Sequence, residues 1–270
     1  MNETKKFGIT SNVLKILVII IMIIDHIGMY MCRKFTYEEY YLLRSIGRMA
    51  MPVFAFLLVQ GFFYTKDLKK FIYRIFCIAI IAQITLFIMG FINETKYNGN
   101  ITVIYTNLNV LFSYTLSLLL ITAIDRKQII HKLSEEKNFI IRINMFVLIL
   151  VAYLKLNIEF GLRIPFLFLE MYAIEKLFMN NGKLLHKREF HGMLEKIKYK
   201  VIYLVCITIA FASSLIFLQC STGCKYAILA SIILIGLYNG NRGKKNKLIQ
   251  YGFYAIYPLQ HLVLFILAVL

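Results

Sequence analysis

Nine long apolar runs, at approximately 16–32, 42–64, 71–92, 107–124, 139–157, 160–178, 201–219, 224–239 and 250–270, alternate with short polar gaps along the 270 residues. Each approaches the roughly 20 apolar residues that carry a helix across a hydrocarbon core about 30 Å thick. Barrel strands would be shorter and would alternate in polarity. Unpaired backbone groups are too costly in hydrocarbon for irregular chain, so the runs predict α-helices. The expectation is an all-α, polytopic transmembrane helix bundle of about nine spans, forming a single integral-membrane domain over 1–270. No repeat, low-complexity stretch or Pro/Gly/Ser linker suggests a boundary within it. The first run carries Asp25 and His26 and no small-residue cleavage site, so it reads as a retained helix rather than a signal peptide.

Composition agrees with the pattern. The chain is 60% hydrophobic with a mean hydropathy of +0.70, well above the roughly 45–50% apolar content of soluble domains. Its net charge of +17, from 31 Lys and Arg against 14 Asp and Glu, would raise the question of nucleic acid in a soluble protein. Here the basic residues gather in the gaps at 66–74, 126–142, 176–200 and 242–247. In such gaps Lys and Arg orient the spans by the positive-inside rule. The expected topology is thus multi-pass in the cytoplasmic (inner) membrane, N-terminus inside, with the lipid bilayer and no nucleic acid as partner. Residues 157–162 must then make a tight outer turn. The gaps at 125–137 and 180–200 read as solvated loops, ahead of amphipathic helices lying on the inner leaflet. The five cysteines have no zinc spacing, so no metal is expected. Cys220 and Cys224 fall in a predicted outer turn and are read as free thiols, although a disulfide is chemically permitted there.

Ionisable and strongly polar residues inside the apolar runs are the candidate chemistry, because they are costly in a bilayer unless paired or facing a wet cavity. Asp25 and His26 lie near the middle of the first run. Arg44 and Arg48, four residues apart, share one face of the second. Gln83, Glu170 and His261 lie in the third, sixth and last. A shared depth suggests one convergent site. Adjacent helical residues point about 100° apart, so Asp25 is poorly placed to orient His26. Its better partner is Arg44 or Arg48, which leaves His26 available as a base or proton carrier. A purely structural lock between the first two helices is the competing interpretation. The residues alone support a membrane enzyme and a proton-coupled transporter about equally.

The segments Leu14-Lys15-Ile16, Asp25-His26-Ile27-Gly28, Arg44-Ser45-Ile46-Gly47-Arg48-Met49-Ala50-Met51-Pro52-Val53-Phe54-Ala55-Phe56, Gly61-Phe62 and Phe253-Tyr254-Ala255-Ile256-Tyr257-Pro258 resemble the TraX family in order and spacing. Ala82-Gln83-Ile84 and Asn109-Val110-Leu111-Phe112 are weaker matches. The resemblance implies an integral-membrane acetyltransferase, named for N-terminal acetylation of conjugative pilin and related to the membrane acyltransferase superfamily. It implies acetyl-CoA as acyl donor. The catalytic positions would be His26, Arg48, Arg44 and Asp25, and the substrate-binding positions Gln83, Asn109, Tyr257 and His261. The acceptor would be an amine or hydroxyl on a peptide, polysaccharide or lipid. The chain departs from the family pattern at Gln260, which separates Leu259 from His261, at Glu159, where an Asp is common, and at Ser113 and Ser117. A proton-coupled exporter and a non-catalytic assembly factor are the alternative functions. No duplicated pair of broken helices supports the former.

Overall fold

The structure is a computed structural model that describes residues 8–99, 101, 103, 105–187, 190, 192–216, 222–243 and 247–270, excepting the side chains of 187, 214–216, 222–224 and 247–250. The described residues form α1 (Ser11–Tyr30), α2 (Tyr37–Gly47), α3 (Ala50–Tyr64), α4 (Leu68–Tyr97), α5 (Val110–Asp125), α6 (Glu135–Lys155), α7 (Arg163–Phe178), α8 (Met193–Ile216), α9 (Thr222–Leu237) and α10 (Lys247–Val269). The architecture is all-α. Each expected apolar run coincides with a helix, except that the second is divided into α2 and α3. Among the described residues five helical runs are long and apolar enough to cross a membrane: Ser11–Tyr30, Tyr37–Tyr64, Leu68–Tyr97, Glu135–Lys155 and Tyr251–Val269. The protein is an integral membrane protein of helical type.

Local chemistry sets the helix ends. Thr10, Asp67, Asn109 and Ser134 each accept a backbone N–H from the first turn of α1, α4, α5 and α6, satisfying donors that a helix start leaves open. Thr36 and Glu39 form a reciprocal capping box on α2. The α2–α3 break follows from Pro52, whose ring opposes the carbonyl four residues back, that of Arg48, and which donates no hydrogen bond. Arg48 accordingly becomes the C-cap of α2.

Contacts divide the chain into two compact units, residues 1–57 with 170–253, and residues 58–169 with 254–270. The divisions fall inside α3, α7 and α10. In the first unit α1 packs on α2, α2 on α9 and α8 on α9. The start of α1 is joined to the end of α9: Ile9 N–H donates to Leu237 O at 2.8 Å, Asn239 N–H to Ile9 O at 3.0 Å and Ser11 N–H to Asn241 O at 2.8 Å. These bonds hold the start of α1 beside the end of α9.

In the second unit α4 packs on α5 and α5 on α6. Helix α4 has 30 residues and α5 only 16, about 45 and 24 Å at the helical rise. The connection makes up the difference by returning along α4. Asn93 pairs with both Ile101 N–H (3.0 Å) and Ile101 O (2.7 Å). Further on, Gln83 Nε2 donates to Tyr105 O and Asn107 O, each at 3.2 Å, and Asn109 Nδ2 donates to Ala79 O at 2.9 Å. Gly90 admits the ring of Tyr105, which would lie 2.3 Å from a Cβ there. Non-helical backbone is tolerated at membrane depth only when protein satisfies it in this way.

The expected turn at 157–162 is present. Phe160 and Gly161 take positive φ (64° and 51°), Leu108 N–H donates to Asn157 O at 2.7 Å and Glu159 N–H to Leu108 O at 2.8 Å. Between α5 and α6 no helix forms in the described residues. Instead Asn138, fully buried, accepts from Ile129 N–H and Ile130 N–H at 2.9 Å and donates to Ile130 O and Leu133 O at 3.0 Å. Asn138→Ala should cost about 2–3 kcal/mol by stranding those two N–H groups, read as a lower thermal midpoint in detergent. Of the gap at 180–200, Leu185–Lys187 forms a 3₁₀ turn and Met193 onward belongs to α8.

Candidate functional site

The first unit holds Asp25, His26, Arg44 and Arg48. Asp25 is 9% exposed, and its Oδ2 lies 2.9 Å from Arg44 Nη1. The same Nη1 donates to Asp25 O at 3.3 Å. The guanidinium therefore grips both the carboxylate and the backbone of α1, which fixes its orientation as well as its charge. Arg48 and Arg44 both act electrostatically on the carboxylate. Asp25 Oδ1 is buried without a hydrogen-bond partner among the described residues.

Two glycines make this approach possible. A Cβ on Gly47 would sit 2.0 Å from Asp25 Cβ and 2.4 Å from its Cγ, and one on Gly28 would sit 3.0 Å from Leu43 Cβ. The Asp-His-Ile-Gly and Gly-Arg motifs are thus two sides of one helix contact: each glycine makes room for the other helix's side chains. Ending α2 at Arg48 also places Arg44 and Arg48 at a helix C-terminus, where positive charge is favoured. His26, half-buried, follows Asp25 on α1 and is turned away from its direction by the helical step.

The same unit contains groups that the sequence reading passed over. Glu175 is 1% exposed and accepts a hydrogen bond from Tyr203 Oη. Beside Lys176, near the end of an apolar run, it resembles an ordinary solvated charge. Glu170, already a candidate from the sequence, accepts from Ser213 Oγ. His186, in a gap expected to be solvated loop, meets the rings of Tyr238, Tyr203 and Phe56 edge-on at 5.0, 5.2 and 6.1 Å. Gly240, at φ 80°, passes so close that a Cβ there would meet His186 Cβ at 2.6 Å.

His186 supplies a pH test. Burial of the ring, then Lys200, lowers its pKa from the usual 6.5 to about 4. The folded state prefers the neutral ring, so this stability is present above pH 6.5 and is lost as pH falls towards 4. Allowing for a ring that is only partly enclosed, the loss is about 2 kcal/mol. Thermal unfolding between pH 7 and 4 should show it, and His186→Phe, which keeps the aromatic packing, should flatten that profile.

The second unit holds Gln83, Asn109, Tyr257 and His261. Gln83 Oε1 accepts from Asn109 N–H at 2.9 Å and Asn109 Nδ2 at 3.0 Å, while its Nε2 serves two carbonyls. Asn109 Oδ1 caps Leu111 N–H at 3.1 Å. The polar groups of both residues are engaged with their own chain, and the geometry is that of a clamp on the α4–α5 connection. Glu159 and Ser113, where the chain departs from the family pattern, are bonded to each other's segments. Glu159 Oε2 accepts from Val110 N–H at 3.0 Å and Ser113 Oγ donates to Glu159 O at 3.1 Å. Ser117 Oγ meets Tyr153 Oη at 3.0 Å. On α10, Tyr257 and His261 are 8% and 3% exposed and their rings meet edge-on at 5.0 Å.

The candidate residues thus form two sets, one in each unit. Among the described residues no group of three or more His, Cys, Asp or Glu gathers as a metal site. Among the described residues Cys32, Cys77 and Cys206 form no disulfide, and the question of a Cys220–Cys224 bond lies outside the described residues.

No solved structure matches the chain. Among curated proteins it is similar to the "Probable fimbrial assembly protein FimC, serogroup H1" of Dichelobacter nodosus, at 34% identity over 70 residues, 26% of this chain and 28% of that one. It is also similar to the "Uncharacterized protein RP591" of Rickettsia prowazekii (strain Madrid E), at 41% identity over 65 residues, 24% of each chain. The chain spans about a quarter of the length of these relatives. The family described as TraX protein matches over residues 10–269, a range that contains the α1–α2 ion pair, the broken second span and the Tyr257–Pro258 segment alike. The chain therefore belongs to the TraX family.

Proposed function

We propose that this protein is a membrane-embedded acyltransferase that moves an acetyl group from acetyl-CoA to an amine or hydroxyl of a membrane-associated or exported acceptor. The observation that carries the reading is the buried Asp25–Arg44 pair at 2.9 Å, with His26 adjacent on α1 and Arg48 at the broken end of α2. A lock between two helices needs one acid and one base. A second arginine at a helix break and a mid-span histidine exceed that requirement, and intramembrane ionisable groups are functional by default.

In the reaction, the acceptor nitrogen or oxygen attacks the thioester carbonyl carbon while His26 takes its proton. The carbonyl oxygen becomes an oxyanion, and Arg48 holds the developing charge. Arg44, fixed by Asp25, supports Arg48 by adding positive potential and keeping α1 and α2 in register. Collapse of the tetrahedral adduct breaks the C–S bond, and the proton on His26 neutralises the departing CoA thiolate. A pilin-like peptide is the favoured acceptor, since one curated relative is named for fimbrial assembly; a polysaccharide or lipid presents the same nucleophiles. The N-terminus is placed in the cytoplasm, where acetyl-CoA and the basic loops would meet, and the membrane is the cytoplasmic one.

That relative's name also favours a second reading, a non-catalytic membrane factor for fimbrial or pilus assembly. Release of CoA from acetyl-CoA by purified protein separates the two. Turnover that depends on His26 supports the transferase, and its absence with every acyl donor and membrane extract favours assembly.

A further inference from the structure

Helix α10 carries a polar stripe that the chemistry above does not use. Tyr257, Gln260 and His261 stand at i, i+3 and i+4, so all three share one helix face. They are 8%, 5% and 3% exposed, and the face continues through Leu264 and Phe265 at 6% and 5%. Gln260 is anomalous. Both ends of its carboxamide, Oε1 and Nε2, are buried and meet no hydrogen-bond partner among the described residues. Buried amides are bonded almost without exception, and one stranded at both ends is strongly unfavourable.

The helix contributes a further acceptor. Pro258 lies inside α10 and has no N–H, so the carbonyl of Tyr254, four residues back, lacks its helical donor. One stretch of helix, 251–269, which contains no Asp, Glu, Lys or Arg, therefore offers an amide donor and an amide acceptor at Gln260 and a backbone acceptor further round the helix. We propose that this face of α10, centred on Gln260, is a binding subsite for a secondary amide of a bound substrate. A phosphate would only accept and a cation would leave the amide N–H groups unmet. A secondary amide offers a C=O and an N–H on opposite edges, so one amide takes a donor from Gln260 Nε2 and a second amide of the same substrate gives its proton to Gln260 Oε1. Two substrates of the proposed reaction contain such amides, the pantetheine arm of the acyl donor and the peptide bonds of a protein acceptor. The choice between them rests on the transferase reading; the subsite itself does not.

The test exploits a sign that distinguishes a ligand site from a structural residue. In purified full-length protein, Gln260→Leu and Gln260→Met remove a stranded amide, so the ligand-free variants should melt higher, by about 2 °C or more. Affinity for the matching amide probe, pantetheine or an N-acetyl dipeptide amide, should fall at least tenfold, as expected when a site built for hydrogen bonding loses its partner. Pantetheine binding alone assigns the subsite to the donor, and dipeptide binding alone assigns it to the acceptor. Variants that melt lower, equal affinity in variant and wild type, or no binding of either probe to wild type would each overturn the proposal. Probe binding lost in the variants while wild type releases no CoA would leave the subsite standing and remove the transferase reading.

Discussion

Gly47→Ala should be among the most damaging single changes in the protein, lowering stability by about 3 kcal/mol and abolishing the Asp25–Arg44 contact. Intrinsic helix propensity points the other way, since alanine outranks glycine in a helix interior by about 1 kcal/mol. Sterics decide the sign. The new methyl carbon would lie 2.0 Å from Asp25 Cβ and 2.4 Å from Oδ1, so α1 and α2 must separate or Asp25 must leave its place. Overpacking of this kind costs about 1–3 kcal/mol, and displacement of a buried pair adds to it. Gly252→Ala in α10 is the control: a Cβ there meets nothing within 4 Å, so it should be neutral or slightly stabilising. Thermal unfolding in detergent checks both, and a Gly47→Ala protein as stable as wild type would contradict the packing described for α1 and α2.

The second large effect separates structure from chemistry at the same contact. Asp25→Ala leaves the guanidinium of Arg44 buried without its carboxylate and should cost about 3–5 kcal/mol. Replacing both partners by apolar residues of similar size, Asp25→Leu with Arg44→Met, removes the uncompensated charge and should recover most of that loss. A double variant that melts near wild type but loses acyl transfer places the pair in the working site. One that melts near wild type and retains full activity reduces it to a lock between helices.

Much of the fold was legible because it depends on apolar length. The runs at 16–32, 71–92 and 139–157 correspond to Ser11–Tyr30, Leu68–Tyr97 and Glu135–Lys155, with ends displaced by a few residues where Thr10, Asp67 and Ser134 cap earlier than the apolar stretch begins. The division of the second span has its cause in Pro52, but the sequence reading drew 42–64 as one run because the apolar stretch is unbroken. A partnership of Asp25 with Arg44 or Arg48 followed from the cost of isolated charge in hydrocarbon, and the structure pairs it with Arg44. Gln83 and Asn109 show where such reasoning stops. A buried amide satisfies backbone as readily as substrate, and only the path of the connection after α4 shows that theirs is engaged in that way. His186 and Glu175 were hidden for the opposite reason, since neighbouring basic residues made their segments look solvated. Gln260 was noticed only as an interruption before His261, because burial without partners is a property of the folded chain.

In the proposed reaction helices α1 and α2 carry the acyl-transfer site, with His26 as base and Arg48 as the charge-stabilising group. Its most direct test is release of free CoA from acetyl-CoA by detergent-purified protein, beside His26→Ala and Arg48→Ala variants with unchanged elution profiles. Wild type should turn over, and each variant should lose about 10²-fold or more. Turnover that survives both substitutions would contradict this proposal.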